Sequence, residues 1–261
     1  MTRIARIHTL AALMALVFLT GGFLLGSLAR TMPLFQGGDG SGFSPSQGWA
    51  LLGAVITWGI FCSAAAVYMR VFRRSPSVTV FFVILFFLFS SLDITKVGQL
   101  MIPATSWRHL SPILSRVTSF GWIAGTLALF TGGLCAGGGS LQRHGVSLLA
   151  LLAVSLGLSW TVPLDSLALP EHLVYPMGLR LSVDTVMLVV LFLGVVSFFQ
   201  VALAVRERRP LFTALAAAAL ALGRVLLFYR TEISLILLGA GFLLLGVLVF
   251  AVENYRDYLL E

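Results

Sequence analysis

Hydrophobic residues run along the chain in eight long stretches, separated by short polar segments or by segments rich in glycine and proline. About 20 apolar residues suffice for one helical crossing of a bilayer, and every stretch reaches that length. The predicted transmembrane helices cover 8–29, 48–72, 77–101, 112–137, 145–164, 181–205, 210–229 and 233–252. The pattern predicts an all-α, polytopic transmembrane helix bundle that forms a single integral membrane domain over residues 1–261.

Composition agrees with this pattern. Hydrophobic residues make up 59% of the chain and charged residues 10%, against roughly 25% charged residues in an average soluble domain. The mean hydropathy is +1.01. A chain with so few charges cannot cover a soluble globule with polar surface, so most of its length must lie in lipid. The lipid bilayer is therefore its first expected partner.

Short breaker sequences mark the predicted helix ends. A polar turn that ends in proline, at 73–76, separates the second stretch from the third. Ser111 followed by Pro112 is typical of a helix start, with serine as the N-cap and proline at the first helical position. We therefore expect helices joined by short connections.

Basic residues gather on one side of the predicted bundle. If the N-terminus is cytoplasmic, ten of the 17 basic residues fall in cytoplasmic turns or tails, four in outward loops and three within spans. The ten are Arg3, Arg6, Arg70, Arg73, Arg74, Arg143, Arg206, Arg208, Arg209 and Arg256. Because positively charged loops stay on the cytoplasmic side, the sequence predicts an N-in/C-in protein of the plasma (cytoplasmic) membrane.

The first stretch also has features of a signal peptide, because Arg3 and Arg6 precede it. Its apolar length exceeds the roughly 7–15 residues of a signal-peptide core, and Ser27–Arg30 is a poor cleavage site. We expect an uncleaved first helix and about eight crossings, whereas cleavage would leave seven.

The net charge of +7 and the isoelectric point near 10.2 would suggest nucleic-acid binding in a soluble protein. Here the basic residues lie beside membrane segments, so nucleic acid is not an expected partner. Cys62 and Cys135 lie in apolar runs outside any CxxC or Cys/His cluster, and the histidines fall at segment ends or in loops. Neither a metal site nor a cofactor is expected.

Five charged residues inside predicted spans are the candidate site, because charges are costly in hydrocarbon and usually have a partner or a function. They are Asp93, Lys96, Arg116, Asp184 and Arg224. At about 1.5 Å per residue, all five fall in the outer third of a hydrocarbon core about 30 Å thick. Structural salt bridges that fix helix register would explain this layer, and so would an outward-facing charged pocket. The long basic side chains could also reach the outer headgroups.

Polar residues on the third stretch form a stripe. Ser90, Asp93, Lys96 and Gln99 recur every three residues, a spacing that drifts slowly around an α-helix. The stripe predicts a polar face on this helix. Residues of other helices can neutralise the charges on that face.

Glycine pairs occur in two of the predicted helices. Gly22 and Gly26 form a GxxxG motif in the first, and Gly121 and Gly125 form another in the fourth. Small residues let transmembrane helices approach closely. We expect ordinary packing within the chain, with a dimerisation face as the alternative.

Three classes of function fit the pattern. The first is a membrane binding, receptor-like or complex-subunit module, whose charged pocket takes an anionic ligand, a lipid headgroup or a membrane partner protein. The second is a small-solute or lipid transporter, although neither an internal repeat nor a helix broken at the midplane is evident. The third is an intramembrane enzyme using Asp93 and Asp184, which no nucleophile–base or metal motif supports. The sequence favours a non-enzymatic binding module.

Overall fold

The computed structural model shows a bundle of helices. It describes residues 3–35, 45–74, 77–101, 110–137, 144–164, 171, 173–175, 177, 180–205 and 208–260. The helices are α1 (Arg3–Phe35), α2 (Pro45–Arg74), α3 (Val78–Ser90), α4 (Thr95–Met101), α5 (Ser111–Ala136), α6 (His144–Thr161), α7 (Arg180–Val205), α8 (Arg208–Tyr229) and α9 (Ile233–Leu260). A 3₁₀ turn at Ser91–Ile94 joins α3 to α4. The predicted all-α transmembrane bundle is confirmed.

Seven segments of the described chain are long and apolar enough to cross a bilayer. They are Ile7–Ala29, Pro45–Arg70, Val78–Gln99, Ser111–Ala136, Val183–Val205, Pro210–Tyr229 and Ile233–Glu253. The remaining predicted crossing, 145–164, corresponds to α6, which has 18 residues and is therefore about 27 Å long. The first predicted helix is among the seven spans. The predicted crossing that is too short to be counted with them is therefore the fifth stretch, 145–164.

Although α6 is short, it runs back along nearly all of α5. Arg116, in the second turn of α5, donates hydrogen bonds to the carbonyl oxygens of Ser159 and Trp160 at the end of α6. Because α6 follows α5 in the chain, its far end has returned to the level at which α5 begins. A bilayer tolerates a mismatch of a few ångströms at modest cost, so this geometry favours an eighth crossing.

The third span lies at the centre of the bundle. Within the described chain, 83% of its most apolar window is buried, the largest share among the spans, against 17% for α1. Every residue from Val80 to Phe89 is buried, and Phe87 stacks on Phe61 of α2 with ring centroids 5.4 Å apart. A helix that is hydrophobic all round is typical of a buried element. The phenylalanines of α3 are therefore packing residues and do not face lipid.

Glycines let α3 and α5 approach closely. A Cβ on Gly121 would lie 2.6 Å from a backbone carbonyl oxygen of α3, and one on Gly125 would lie 2.8 Å from Ser90 Oγ. Packing within the chain is thus confirmed for this GxxxG pair. Gly22 and Gly26 differ, because a Cβ on either would meet no atom of another described helix within 4 Å.

The predicted N-cap of α5 is wrong by one residue. Leu110 is the N-cap, and Ser111 is the first residue of the helix, followed by Pro112 in the first turn. The Ser111 hydroxyl donates a hydrogen bond to Gln99 Oε1 at 2.5 Å. This serine therefore joins two helices instead of capping its own.

The ends of several helices meet on one side of the bundle. Gln99 of α4 bonds the start of α5, the end of α6 reaches the same level, and Lys96 contacts the end of α8. We call this side the Lys96 end. Its orientation toward the outside stays a prediction, and two of the basic residues behind that prediction, Arg143 and Arg206, lie outside the described residues.

Candidate functional site

The polar stripe of the third span is buried along its whole length. Ser90, Asp93, Lys96 and Gln99 are each at most 1% exposed. The backbone explains why they stay aligned: a 3₁₀ turn has about three residues per turn, so side chains three positions apart nearly eclipse. Because Ser91–Ile94 adopts this geometry, the drift expected of a regular α-helix is reduced at Asp93. The stripe faces other helices and not lipid.

Asp93 pairs with Arg224 of α8. The guanidinium Nη2 donates to Asp93 Oδ1 at 2.9 Å, and Nη1 donates to Oδ2 in a second short contact. Both side chains are at most 2% exposed. Two parallel charge-assisted bonds match the planar guanidinium to the carboxylate, and each charge removes the cost of burying the other unpaired. The structure therefore brings two of the five candidate residues into one buried salt bridge.

Lys96 lies about one helical turn after Asp93 and contacts the same helix, α8. Its Nζ donates a hydrogen bond to the carbonyl oxygen of Phe228 at 3.0 Å and lies 4.2 Å from the centroid of the Phe228 ring. A cation over an aromatic face is stabilised by the ring quadrupole, more so away from water. Lys96 is 1% exposed, so it does not extend to the headgroup region.

Two aromatic residues complete the group. The Trp122 and Phe228 rings are stacked with centroids 4.5 Å apart, and the Arg224 guanidinium carbon lies 5.2 Å from each ring centroid. We call Asp93, Lys96, Trp122, Arg224 and Phe228 the Asp93 cluster. Its three ionisable residues carry two formal positive charges and one negative charge.

Sequence reasoning missed the two aromatic members, although both had a signal. Phe228 lies four residues after Arg224, the spacing that places side chains on one helix face. Trp122 lies well inside a predicted span, whereas tryptophan usually concentrates at the membrane interface. The positions of Phe228 and Trp122 in the sequence therefore differ from those of ordinary lipid-facing aromatic residues.

A second polar network lies at the Lys96 end, beyond the cluster. Gln99 Nε2 donates to the Ser111 carbonyl oxygen and to Ser115 Oγ, both at 2.8 Å. The backbone N–H of Tyr175, in the loop before α7, donates to Ser115 Oγ at 3.1 Å. This network fixes the start of α5 against α4 and holds part of the loop over them.

Arg116 takes no part in the described contacts of the Asp93 cluster. Its Nη1 donates to the carbonyl oxygens of Ser159 at 2.9 Å, of Trp160 in a shorter contact, and of Val162 at 3.5 Å. Carbonyls at a helix C-terminus lack partners within the helix, and a cation there also interacts favourably with the helix dipole. Arg116 is thus a capping residue for α6.

Asp184 lies in the second turn of α7 and is half-buried. It has an interaction partner, and the described contacts do not bring it to Asp93, Lys96 or Arg224. Of the five candidate charges, the structure therefore assembles Asp93, Lys96 and Arg224 into one group, and it places Arg116 at the end of α6.

Replacing Arg116 with alanine is expected to loosen the last turn of α6. Hydrogen bonds to a charged group contribute about 1.5–3 kcal/mol, and about 1.4 kcal/mol corresponds to a factor of ten. Hydrogen exchange at residues 158–162, measured by mass spectrometry in nanodiscs, should therefore accelerate about tenfold or more. Arg70→Ala, at an exposed arginine of α2, is the control and should leave α6 unchanged. Unchanged exchange in Arg116→Ala would show that the side chain reaches the headgroups instead.

Comparison with known proteins adds no family. No protein-family model matches the chain, and no curated protein matches it. The function must therefore be inferred from the chemistry of the site. That chemistry consists of a buried guanidinium fork, a buried ammonium group and one internal carboxylate, set against two stacked aromatic rings.

Proposed function

We propose that the chain is a non-enzymatic, receptor-like binding module of the plasma membrane, which takes an anionic group at the Asp93 cluster from the outer side. The anionic group is a phosphate or carboxylate, carried either by a lipid headgroup or by a small soluble molecule. Lys96 and Arg224 are its counter-charges. The observation that carries the proposal is the buried excess of positive charge over negative charge in the cluster.

The pairing of Arg224 supports this proposal. A guanidinium presents parallel N–H groups that match the two oxygens of a carboxylate or a phosphate. In the present structure Asp93 occupies those donors with both of its oxygens. Asp93 therefore acts as an internal anion that fills the site in a closed form and that an incoming anion would replace.

An unused donor beside the guanidinium gives further support. The Trp122 indole N–H is buried and has no hydrogen-bond partner in the described part of the chain, although buried polar groups are nearly always paired. Trp122 also lies against Arg224. An anion bound at Arg224 would offer an acceptor to this N–H group.

The local backbone offers a place where the site can open. Asp93 itself lies in the 3₁₀ turn at Ser91–Ile94, and a 3₁₀ stretch within a longer helix often marks a hinge. A change in this turn would move Asp93 relative to α8. Beyond the turn lies α4, the short segment that carries Lys96 to the end of the bundle.

The other two classes of function receive less support. Both oxygens of Asp93 are bound to Arg224, which leaves them poorly placed for acid–base chemistry with Asp184. The third span keeps right-handed helical backbone angles at Ser90, Ser91 and Thr95, so it lacks the unwound midplane segment typical of many transporters. The N-in/C-in orientation is part of our proposal, because it places the Lys96 end on the outside.

The test uses the fact that Lys96 is the only lysine in the chain. The protein would be reconstituted in phosphatidylcholine nanodiscs and treated with an amine-reactive ester, and modification of Lys96 would be followed by peptide mass spectrometry. In wild type the reaction should be slow, because the ammonium group is buried. Asp93→Asn removes the internal anion, and Lys96 should then react at least tenfold faster. Inorganic phosphate or dihexanoyl phosphatidylglycerol should restore protection.

The two probes separate a soluble anion from a lipid headgroup, since the site should prefer one of them. Asp184→Asn is the matched control, the same substitution at the other predicted site aspartate, and should behave like wild type. The thermal midpoint of wild type should also rise with the preferred probe, because a ligand that binds the folded state stabilises it. If neither probe raises that midpoint and neither protects Lys96 in Asp93→Asn, the binding proposal is wrong.

A further inference from the structure

Neutral polar side chains line the contact between α4 and α5, from the Lys96 end toward the Asp93 cluster. Every one of them is buried, with at most 8% of its surface exposed. Gln99 hydrogen-bonds Ser111 and Ser115, and Thr95 Oγ1 lies 2.6 Å from Thr118 Oγ1. We call these five residues the polar seam. Its hydroxyl and amide groups occupy successive turns of one helix interface.

The inner end of the polar seam reaches the Asp93 cluster. Trp122 lies one helical turn beyond Thr118 on α5, and Ser90 lies one turn before Asp93 on α3. The Ser90 hydroxyl and the Trp122 indole N–H are buried and have no hydrogen-bond partner in the described part of the chain. Because buried polar groups are nearly always paired, these two groups are suited to a polar solute at the inner end. That end lies about 16 Å along α5 from Ser111.

Other buried hydroxyl groups of the bundle are bonded differently. Ser155 of α6 and Thr57 of α2 are both 0% exposed, and each donates to a carbonyl oxygen four residues earlier in its own helix. Serine and threonine often make this bond within transmembrane helices. Thr118 makes the same bond within α5, but it also meets Thr95 on α4. The polar seam is thus a feature of the interface between two helices.

Apolar packing closes the flank of the polar seam. A Cβ on Gly98 of α4 would lie 2.6 Å from Leu114 Cδ1 of α5 and 3.5 Å from Leu24 Cδ2 of α1. Three helices therefore meet closely between the two hydrogen-bonded layers of the seam. A lipid headgroup that entered from the side would have to separate them. The polar seam therefore follows the length of the bundle and does not open sideways into the bilayer.

A loop covers the mouth of the polar seam at the Lys96 end. The backbone N–H of Tyr175 donates to Ser115 Oγ at 3.1 Å, and the Ser111 hydroxyl donates to the Tyr175 hydroxyl at 3.3 Å. Leu173 of the same loop is fully buried with φ at 60°, a left-handed conformation that is strained for a residue other than glycine. Such strain is common at ligand clamps and switch regions. Lifting this loop would uncover the seam and relieve the strain.

We propose that the ligand is a small, water-soluble anion that reaches the Asp93 cluster along the polar seam. This inference rests on the proposed anion-binding function of that cluster. The seam residues carry no formal charge, so they can solvate an anion without holding it, as a conduction path requires. The positive excess of Lys96 and Arg224 at the inner end selects the sign of the solute. A lipid lacks such a path, because its acyl chains would have to pass the closed flank.

Thiol accessibility tests the route without any ligand. In a Cys62→Ala/Cys135→Ala background, Thr118→Cys places a thiol inside the polar seam, and sulfonatoethyl methanethiosulfonate is a small anionic reagent for it. In phosphatidylcholine nanodiscs, Thr118→Cys should react at least tenfold faster than Ser155→Cys, as followed by peptide mass spectrometry. Ser155 is the matched control, because it is 0% exposed as Thr118 is but lies outside the seam.

Ser115→Cys provides a second variant if Thr118→Cys does not fold. Cysteine closely matches serine in shape, and Ser115 lies nearer the mouth, so its thiol should react faster than that of Thr118→Cys. Reaction of the seam thiols no faster than that of Ser155→Cys would overturn the route.

Two probes test the source of the anion. In Asp93→Asn, inorganic phosphate should slow the reaction of Lys96 with the amine-reactive ester at least tenfold, whereas dihexanoyl phosphatidylglycerol should not. Protection by the lipid alone would retain the binding function but overturn the inference of a soluble ligand. Protection by neither probe would contradict the binding function itself, and the thiol rates would still decide separately whether the polar seam is a route.

Discussion

Asp93→Asn is expected to lower the free energy of unfolding by about 3–5 kcal/mol, the usual cost of leaving one member of a buried ion pair without its partner. Asparagine keeps the shape of the side chain but leaves the Arg224 guanidinium, which is 2% exposed or less, without a balancing charge. Arg224→Gln should have a similar effect from the other side. Reversible unfolding in mixed micelles, monitored by tryptophan fluorescence, would measure both losses.

A paired substitution separates the salt bridge from simple packing. Asp93→Leu/Arg224→Met removes both charges together and should recover most of the stability lost in either single variant, because apolar replacements of a buried pair are often neutral. Asp184→Asn is the matched control and should cost much less. If the double variant loses as much unfolding free energy as the two single variants together, the two residues do not stabilise each other.

Gly121→Ala is expected to lower the free energy of unfolding by about 1–3 kcal/mol, because the added methyl group overpacks the contact between α3 and α5. The new Cβ would lie 2.6 Å from a carbonyl oxygen of α3, and backbone atoms cannot move aside as a flexible side chain can. The helices must therefore separate, which also disturbs the neighbouring polar stripe. The same mixed-micelle unfolding assay would measure the change.

Gly22→Ala offers a control with identical chemistry in the same fold. In the part of the chain that the structure describes, its Cβ would meet no atom of another helix within 4 Å, so the change should leave stability unaltered or raise it, since alanine favours a helix over glycine by up to about 1 kcal/mol. Equal losses in the two variants would mean that the glycines act through helix flexibility and not through close packing.

Local patterns in the sequence were sufficient for most of the architecture. Each span is a long apolar run, and the length of a run determines whether a helix can cross a bilayer. The start of α5 shifted by one residue because Ser111 has a partner on another helix, Gln99. The sequence pattern around a helix end cannot reveal a partner that lies elsewhere in the fold.

The candidate site could be predicted only in part, for a related reason. Charges within apolar runs stand out from sequence alone, and Asp93, Lys96 and Arg224 were found that way. The choice of partner depends on the order in which helices pack, which no local pattern encodes. Arg116 was grouped with the others by depth alone, whereas it caps α6. The aromatic partners of Arg224 were missed because their role depends on the same packing.

The buried salt bridge also has a consequence for biosynthesis. Asp93 and Arg224 lie 131 residues apart, so a ribosome adding about 5–20 residues per second exposes the third span roughly 7–26 s before its partner exists. The ten buried residues Val80–Phe89 each favour insertion by about 0.3–0.6 kcal/mol, against a penalty of about 2.5–3.5 kcal/mol for each charge near the bilayer centre. The phenylalanine-rich run, which contributes about 3–6 kcal/mol in all, therefore offsets most of the penalty of about 5–7 kcal/mol for an unpaired aspartate and lysine, and pairing with α8 supplies the rest when that helix arrives.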